Sequence, residues 1–162
     1  MRRRIIREKV VQALYAHEIS GDPPEHVILH ILAGLSENKA AHDFARRLVL
    51  QTINQAAEID RIIRSKVTNW DFKRIAILDR LILRMAICEL IHFQEIPPKV
   101  SMNEAIELAK LFSTERSGQF VNGVLDAVLN EMKSSGGLAK AGRGLYDGEP
   151  ARKPKGTTGK QP

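Results

Sequence analysis

From Phe72 to Phe93 the chain is apolar on nearly every side of a helical wheel: Ile75, Ile77, Leu78, Leu81, Ile82, Leu83, Met85, Ala86, Ile87, Leu90 and Ile91. A helix that is apolar all round has to be packed on several faces. Its neighbours must therefore wrap it, with a kink or break expected near its start. The flanking sequence supplies such neighbours, and each carries helical spacing. No segment alternates as a half-buried strand would. The fold class expected is all-α.

The first helix is expected over Arg3 to Ile19, with Ile6, Val10, Ala13, Leu14 and His17 along one stripe. Gly21-Asp22-Pro23-Pro24 stops it, and the proline pair suits the start of the segment HVILHILAGL. A long third helix is expected from about Asn38 to Lys66, placing Phe44, Leu48, Ile59 and Ile63 inward. Thr68-Asn69-Trp70-Asp71 forms the next break and offers several N-cap side chains. Ile96-Pro97-Pro98 ends the central helix, since proline disfavours helix in the residue before it. Ser101-Met102-Asn103-Glu104 reads as a capping box opening the following helix.

The last helix carries GQFVNGVLDAV. Asn122-Gly123 is locally a hairpin signal, but Phe120, Val124, Val128 and Val121, Leu125, Leu129 repeat at i, i+4, i+8 across it. The helix is expected to win, with Gly123 admitting a close neighbour at a cost of roughly 1 kcal/mol relative to alanine. Beyond Lys133 the composition changes: seven of 11 glycines and three of seven prolines fall in residues 134–162. With so little apolar surface, this segment is expected to be a disordered basic tail.

Charge is concentrated at the ends. The formal net charge is +6. Residues 1–9 hold Arg2, Arg3, Arg4, Arg7 and Lys9 against Glu8, and residues 134–162 hold six basic residues against Asp147 and Glu149. Cations at a helix N-terminus oppose the helix dipole, costing about 0.3–1 kcal/mol when exposed. Their presence there suits phosphate contact, in which each neutralised phosphate releases counterions. A solvated charged end is the competing reading.

Other chemistry is sparse. His26 and His30 are four apart but lack a third ligand at a telling spacing, so no metal and no cofactor are expected. His17 reads as a satisfied core histidine, and the single Cys88 as inert packing in a reducing cytoplasm. No glycine-rich loop follows a strand, and no apolar run approaches the roughly 18 residues of a membrane span. Neither an active site nor a membrane partner is expected.

RRxxREKVVQALY at the front, LRMAICEL in the middle and IPPKVSMNEAIELAKLFSTERSGQFVNGVLD at 96–126 resemble the NusB family of bacterial transcription antitermination factors. The resemblance spans about residues 2–132. It implies about seven helices in two small bundled halves, near 1–66 and 69–133, within one unit of residues 1–133. It also implies a non-enzymatic function: binding boxA-type single-stranded RNA together with the small-subunit ribosomal protein NusE, within the RNA polymerase antitermination complex of ribosomal RNA operons. By position it points to Arg2, Arg3, Arg4, Arg7 and Gln12 as RNA contacts, with Phe120 as a stacking candidate or core residue. Asp79 and its neighbour Arg80 fall at the position of the NusE-like interface, or are solvated helix charges. Arg116 departs from the polar or acidic residue expected there. The related reading is a NusB-like binding or dimerisation module without an antitermination role, as in the N-terminal domain of some ribosomal RNA cytosine methyltransferases. Monomer and homodimer are both open.

Overall fold

The computed structural model describes residues 3–67 and 72–137. Arg2, the expected Thr68–Asp71 break and the expected tail from residue 138 lie outside the described residues. Seven α-helices are found among the described residues: α1 (Arg3–Ser20), α2 (Pro24–Ile31), α3 (Lys39–Asn54), α4 (Ala56–Lys66), α5 (Ile77–His92), α6 (Pro98–Phe112) and α7 (Glu115–Ser135). Short 3-10 turns cover Ala33–Leu35 and Phe72–Arg74. No strand occurs among the described residues, as the spacing predicts.

α5 is the central element. It buries Leu81, Ile82, Leu83, Met85, Ala86, Ile87, Cys88 and Leu90, and α1, α3, α4, α6 and α7 all pack on it. Each of the buried Leu, Ile and Met side chains contributes about 1.5–3 kcal/mol. The break foreseen near its start is real: a 3-10 turn at Phe72–Arg74 precedes Ala76, from which α5 begins. One contiguous core runs from Ile6 and Leu14 of α1 through α5 to Leu125 and Leu129 of α7.

Helix ends follow the local chemistry. Gly21 takes φ +71° and its amide closes α1 onto the His17 carbonyl at 2.9 Å, the left-handed C-cap that glycine permits. Pro23 and Pro24 open α2. Asn38 caps α3, accepting from the Ala41 amide at 3.1 Å.

Four expectations need correction. The long third helix is two helices, interrupted at Gln55, whose φ and ψ of −101° and 9° leave the helical region. That bend lets α3 and α4 each reach α5. The last helix runs past Lys133 to Ser135, so residues 134 and 135 belong to it, and Gly136 closes it at φ +71°. The Ser101–Glu104 segment is not a capping box, because α6 already begins at Pro98, with Pro97 before it and no side-chain cap. Finally, Gly123 is exposed, and a Cβ built there would meet nothing within 4 Å. The close approach lies five residues earlier: a Cβ on Gly118 would come within 2.8 Å of the Lys110 Cγ, where α7 folds back on α6.

Candidate nucleic-acid interface

The basic start of α1 is not one uniform patch. Arg3, Arg4 and Gln12 are exposed, whereas Arg7 points into the protein and is 0% exposed. Its Nε donates to both carboxylate oxygens of Glu89, at 3.2 and 3.0 Å, and its Nη2 lies 2.5 Å from Oε1. Ser101 on α6 donates to the same Oε1 at 3.1 Å. The Arg7 guanidinium also lies 5.4 Å from the Phe44 ring centroid. Burial opposes its charge, but the Glu89 carboxylate and hydrogen bonds outweigh that, and its pKa is raised. Arg7 therefore cannot serve as a phosphate contact in this conformation. Buried charge must be paired, and this one joins α1, α5 and α6.

One turn earlier on α1, Arg4 meets Glu104 of α6 through Nε at 3.1 Å and Nη2 at 3.2 Å. Arg7–Glu89 and Arg4–Glu104 form two rungs on α1, and the two residues expected as a capping box instead face Glu89 of α5, in the case of Ser101, and Arg4 of α1, in the case of Glu104. Arg3 has no ion-pair partner among the described residues.

A second feature opens where the start of α5 faces the start of α7. It is a groove of about 630 Å³ walled by Arg74, Ile75, Ala76, Asp79, Arg116, Ser117, Gln119 and Phe120. Thr114 caps α7 at that wall, accepting from the Ser117 amide at 3.1 Å. Asp79 is only 7% exposed. Its Oδ2 accepts from the Ser117 hydroxyl at 3.1 Å, while Oδ1 has no hydrogen-bond partner among the described residues. Burial pushes the Asp79 carboxyl above its ordinary range, partly offset by the Ser117 hydrogen bond. The groove brings Phe120, a stacking candidate that is also partly buried against the core, together with Asp79, the candidate for a protein partner. Arg116, the departure from the family pattern, stands on the same wall.

Arg80 does not share that groove. Its Nη2 reaches Glu18 of α1 at 3.2 Å, and its guanidinium lies 5.7 Å from the Phe72 ring centroid. Glu18 also faces Arg84 at 3.6 Å, and Arg84 is held side-on by Asp60 of α4 at 2.7 Å. Arg80 is thus part of a strut joining α1, α4 and α5 rather than a solvated charge.

The remaining sites are quiet. The His17 Nδ1 is 2.7 Å from the Asp22 carbonyl, and the His26 and His30 rings meet edge-on at 4.6 Å. Cys88 is fully buried, and burial pushes its thiol up to about 12. Glu89 and Glu104 are the carboxylate partners of Arg7 and Arg4 that local sequence patterns do not assign. The signal for Glu89 was present: a carboxylate deep within an apolar helix requires a cation from elsewhere.

A model of the NusB family matches residues 4–130. The chain is 47% identical over 144 residues to the transcription antitermination protein NusB of Salinibacter ruber, covering 88% of this chain and 90% of that one. It is 40% identical to the protein of that name from Bacillus pumilus over 82% of this chain and 98% of the relative. Among solved structures, T. maritima NusB superposes with a TM-score of 0.75 at 36% identity, covering 81% and 92% of the two chains. A chain from the crystal structure of antitermination factors NusB and NusE in complex with dsRNA superposes with a TM-score of 0.72 at 28% identity, covering 80% and 96%. The matched residues run from the first turn of α1 into α7, and the chain belongs to the NusB family.

Proposed function

We propose that this chain is a cytoplasmic transcription antitermination factor that binds boxA-type single-stranded RNA together with the ribosomal protein NusE. It would act as a binding protein rather than an enzyme, supporting transcription of ribosomal RNA operons within the RNA polymerase antitermination complex. The observation that carries this reading is the 47% identity, over about nine-tenths of both chains, to a relative named as a transcription antitermination protein. The likeness to a chain from a structure of NusB and NusE in complex with dsRNA supports NusE and RNA as the kinds of partner.

Exposed Arg3, Arg4 and Gln12 on α1 suit the sequence-independent part of RNA recognition, in which cations track phosphates. Phe120 on the groove wall suits base stacking, by which single strands are held. Asp79, nearly buried with one unpartnered oxygen, suits a hydrogen-bond donor arriving on a protein partner. We place Arg2 in the same RNA surface by its position in the chain. Electrophoretic mobility shift with boxA RNA, with and without the NusE-like protein, tests the proposal. Retention that requires or is strengthened by the pair is expected. Absence of retention in both arms would leave a NusB-like module without an antitermination role.

A further inference from the structure

Arg4 is an exposed cation of α1 that already has a carboxylate partner. Glu104 grips the Nε and Nη2 edge of its guanidinium side-on. The two side chains retain 46% and 19% exposure, so the pair lies within reach of an approaching polyanion. The hydrogen bond and charge of Glu104 raise the Arg4 pKa, and Glu107 and Glu8 act in the same direction. The sequence count over residues 1–9 therefore overstates the charge offered to solvent. Arg7 is committed to Glu89 inside the protein, and Arg4 is faced by carboxylates of α1 and α6.

We infer that Glu104 competes with phosphate for Arg4, and so limits how much of the α1 charge a polyanion can use. The inference rests on the reading of α1 as an RNA-contacting surface. Carboxylate and phosphate oxygens seek the same planar edge of a guanidinium. An exposed pair shifts an equilibrium by a factor of about five at most, so a phosphate held in place by other contacts can displace Glu104. RNA that binds in no fixed register gains less from Arg4. Glu104 is thereby a selectivity-determining residue, acting against loosely bound strands more than against a well-seated one.

Glu104→Gln removes the charge while keeping the length of the side chain and a carbonyl acceptor for Arg4. Binding of an unstructured oligouridylate to the full chain should tighten about two- to fivefold at low salt. Its log–log salt slope should steepen by about 0.7, the increment for one further phosphate on a single strand. The gain on boxA RNA should be smaller, and adding Arg4→Gln should abolish both gains. Glu104→Asp, which shortens the reach, should move binding in the same direction and serves where Glu104→Gln lowers the melting temperature. Unchanged or weaker oligouridylate binding by Glu104→Gln, with Arg3→Ala still weakening it, would overturn the role of Glu104 and leave the RNA surface standing. If Arg3→Ala alters neither RNA, the surface itself is misplaced and the inference goes with it.

Discussion

Arg7 of α1 and Glu89 of α5 meet inside the protein with both side chains 0% exposed, their closest atoms 2.5 Å apart. The pair accounts for a conspicuous cation in the basic start of the chain without invoking RNA. The low-dielectric surroundings that strengthen the pair make either member alone costly.

Glu89→Gln or Arg7→Ala should each destabilise the fold by about 3–5 kcal/mol, the usual cost of breaking a buried pair from one side. Replacing both with apolar residues, as in Arg7→Met with Glu89→Leu, should recover most of that loss. Guanidinium unfolding midpoints of the two singles and the double decide it. A double as unstable as either single would mean that shape, not charge pairing, sets the cost.

RNA binding should separate the three arginines of α1. Arg3→Ala is expected to weaken it and flatten the salt slope by about 0.7 for each phosphate no longer neutralised. Arg4→Ala should cost less, because Glu104 already occupies its Nε and Nη2. Arg7→Ala should reduce binding only as far as it reduces the folded fraction, so affinity corrected for that fraction stays at the wild-type value. Fluorescence anisotropy across a salt series, with unfolding measured in parallel, checks all three.

Asp79 gives a pH prediction. Its carboxyl is pushed up by burial, so the folded state holds that proton more tightly than the unfolded chain does. Its contribution therefore favours folding as pH falls through the raised value, and turns against folding as pH rises through it. Asp79→Asn should flatten this part of the stability–pH curve and leave the melting temperature at pH 7 equal to or above that of the wild type. If Asp79 receives a donor from the NusE-like protein, the same substitution should weaken that complex about tenfold or more. Reduced stability at pH 7 with unchanged partner affinity would assign Asp79 to the fold alone.

The glycines of α7 should behave in opposite ways. Gly123→Ala adds a methyl in open space within a helix and should stabilise by about 0.4–1 kcal/mol. Gly118→Ala meets the flexible Lys110 side chain, which can shift, whereas Gly118→Leu must also displace the α6 backbone beside it. The leucine variant should lose about 1–3 kcal/mol. Equal melting temperatures for Gly118→Leu and the wild type would remove close approach as the reason for that glycine.

Much of the fold was legible because helical spacing, proline pairs and Gly21 act within a few residues of where they stand. The all-round apolar stretch of α5 announced a central helix, and Asn38 announced the start of α3. What escaped was decided by partners far along the chain. Ser101 and Glu104 fit a capping box locally, yet they face Glu89 and Arg4. Arg7 looked like Arg3 and Arg4 because nothing beside it in sequence shows that α5 carries Glu89 one layer below. The break at Gln55 has no glycine or proline to mark it; it follows from α3 and α4 both packing on α5. Phe120 and Asp79 were each singled out, but the groove that joins them depends on how α7 returns beside α5.

The two rungs on α1 also bear on how the chain comes together. Arg7 precedes Glu89 by 82 positions, and Arg4 precedes Glu104 by 100. During synthesis α1 emerges early, but its buried cation has no counter-charge until most of the chain has followed. Until then Arg7 remains hydrated, and the apolar flank of α1 has only α2 and α3 to rest on. α1 is thus made well before the segments that fasten it, and slow translation through α5 would prolong the interval in which α1 is open to proteases or to another chain.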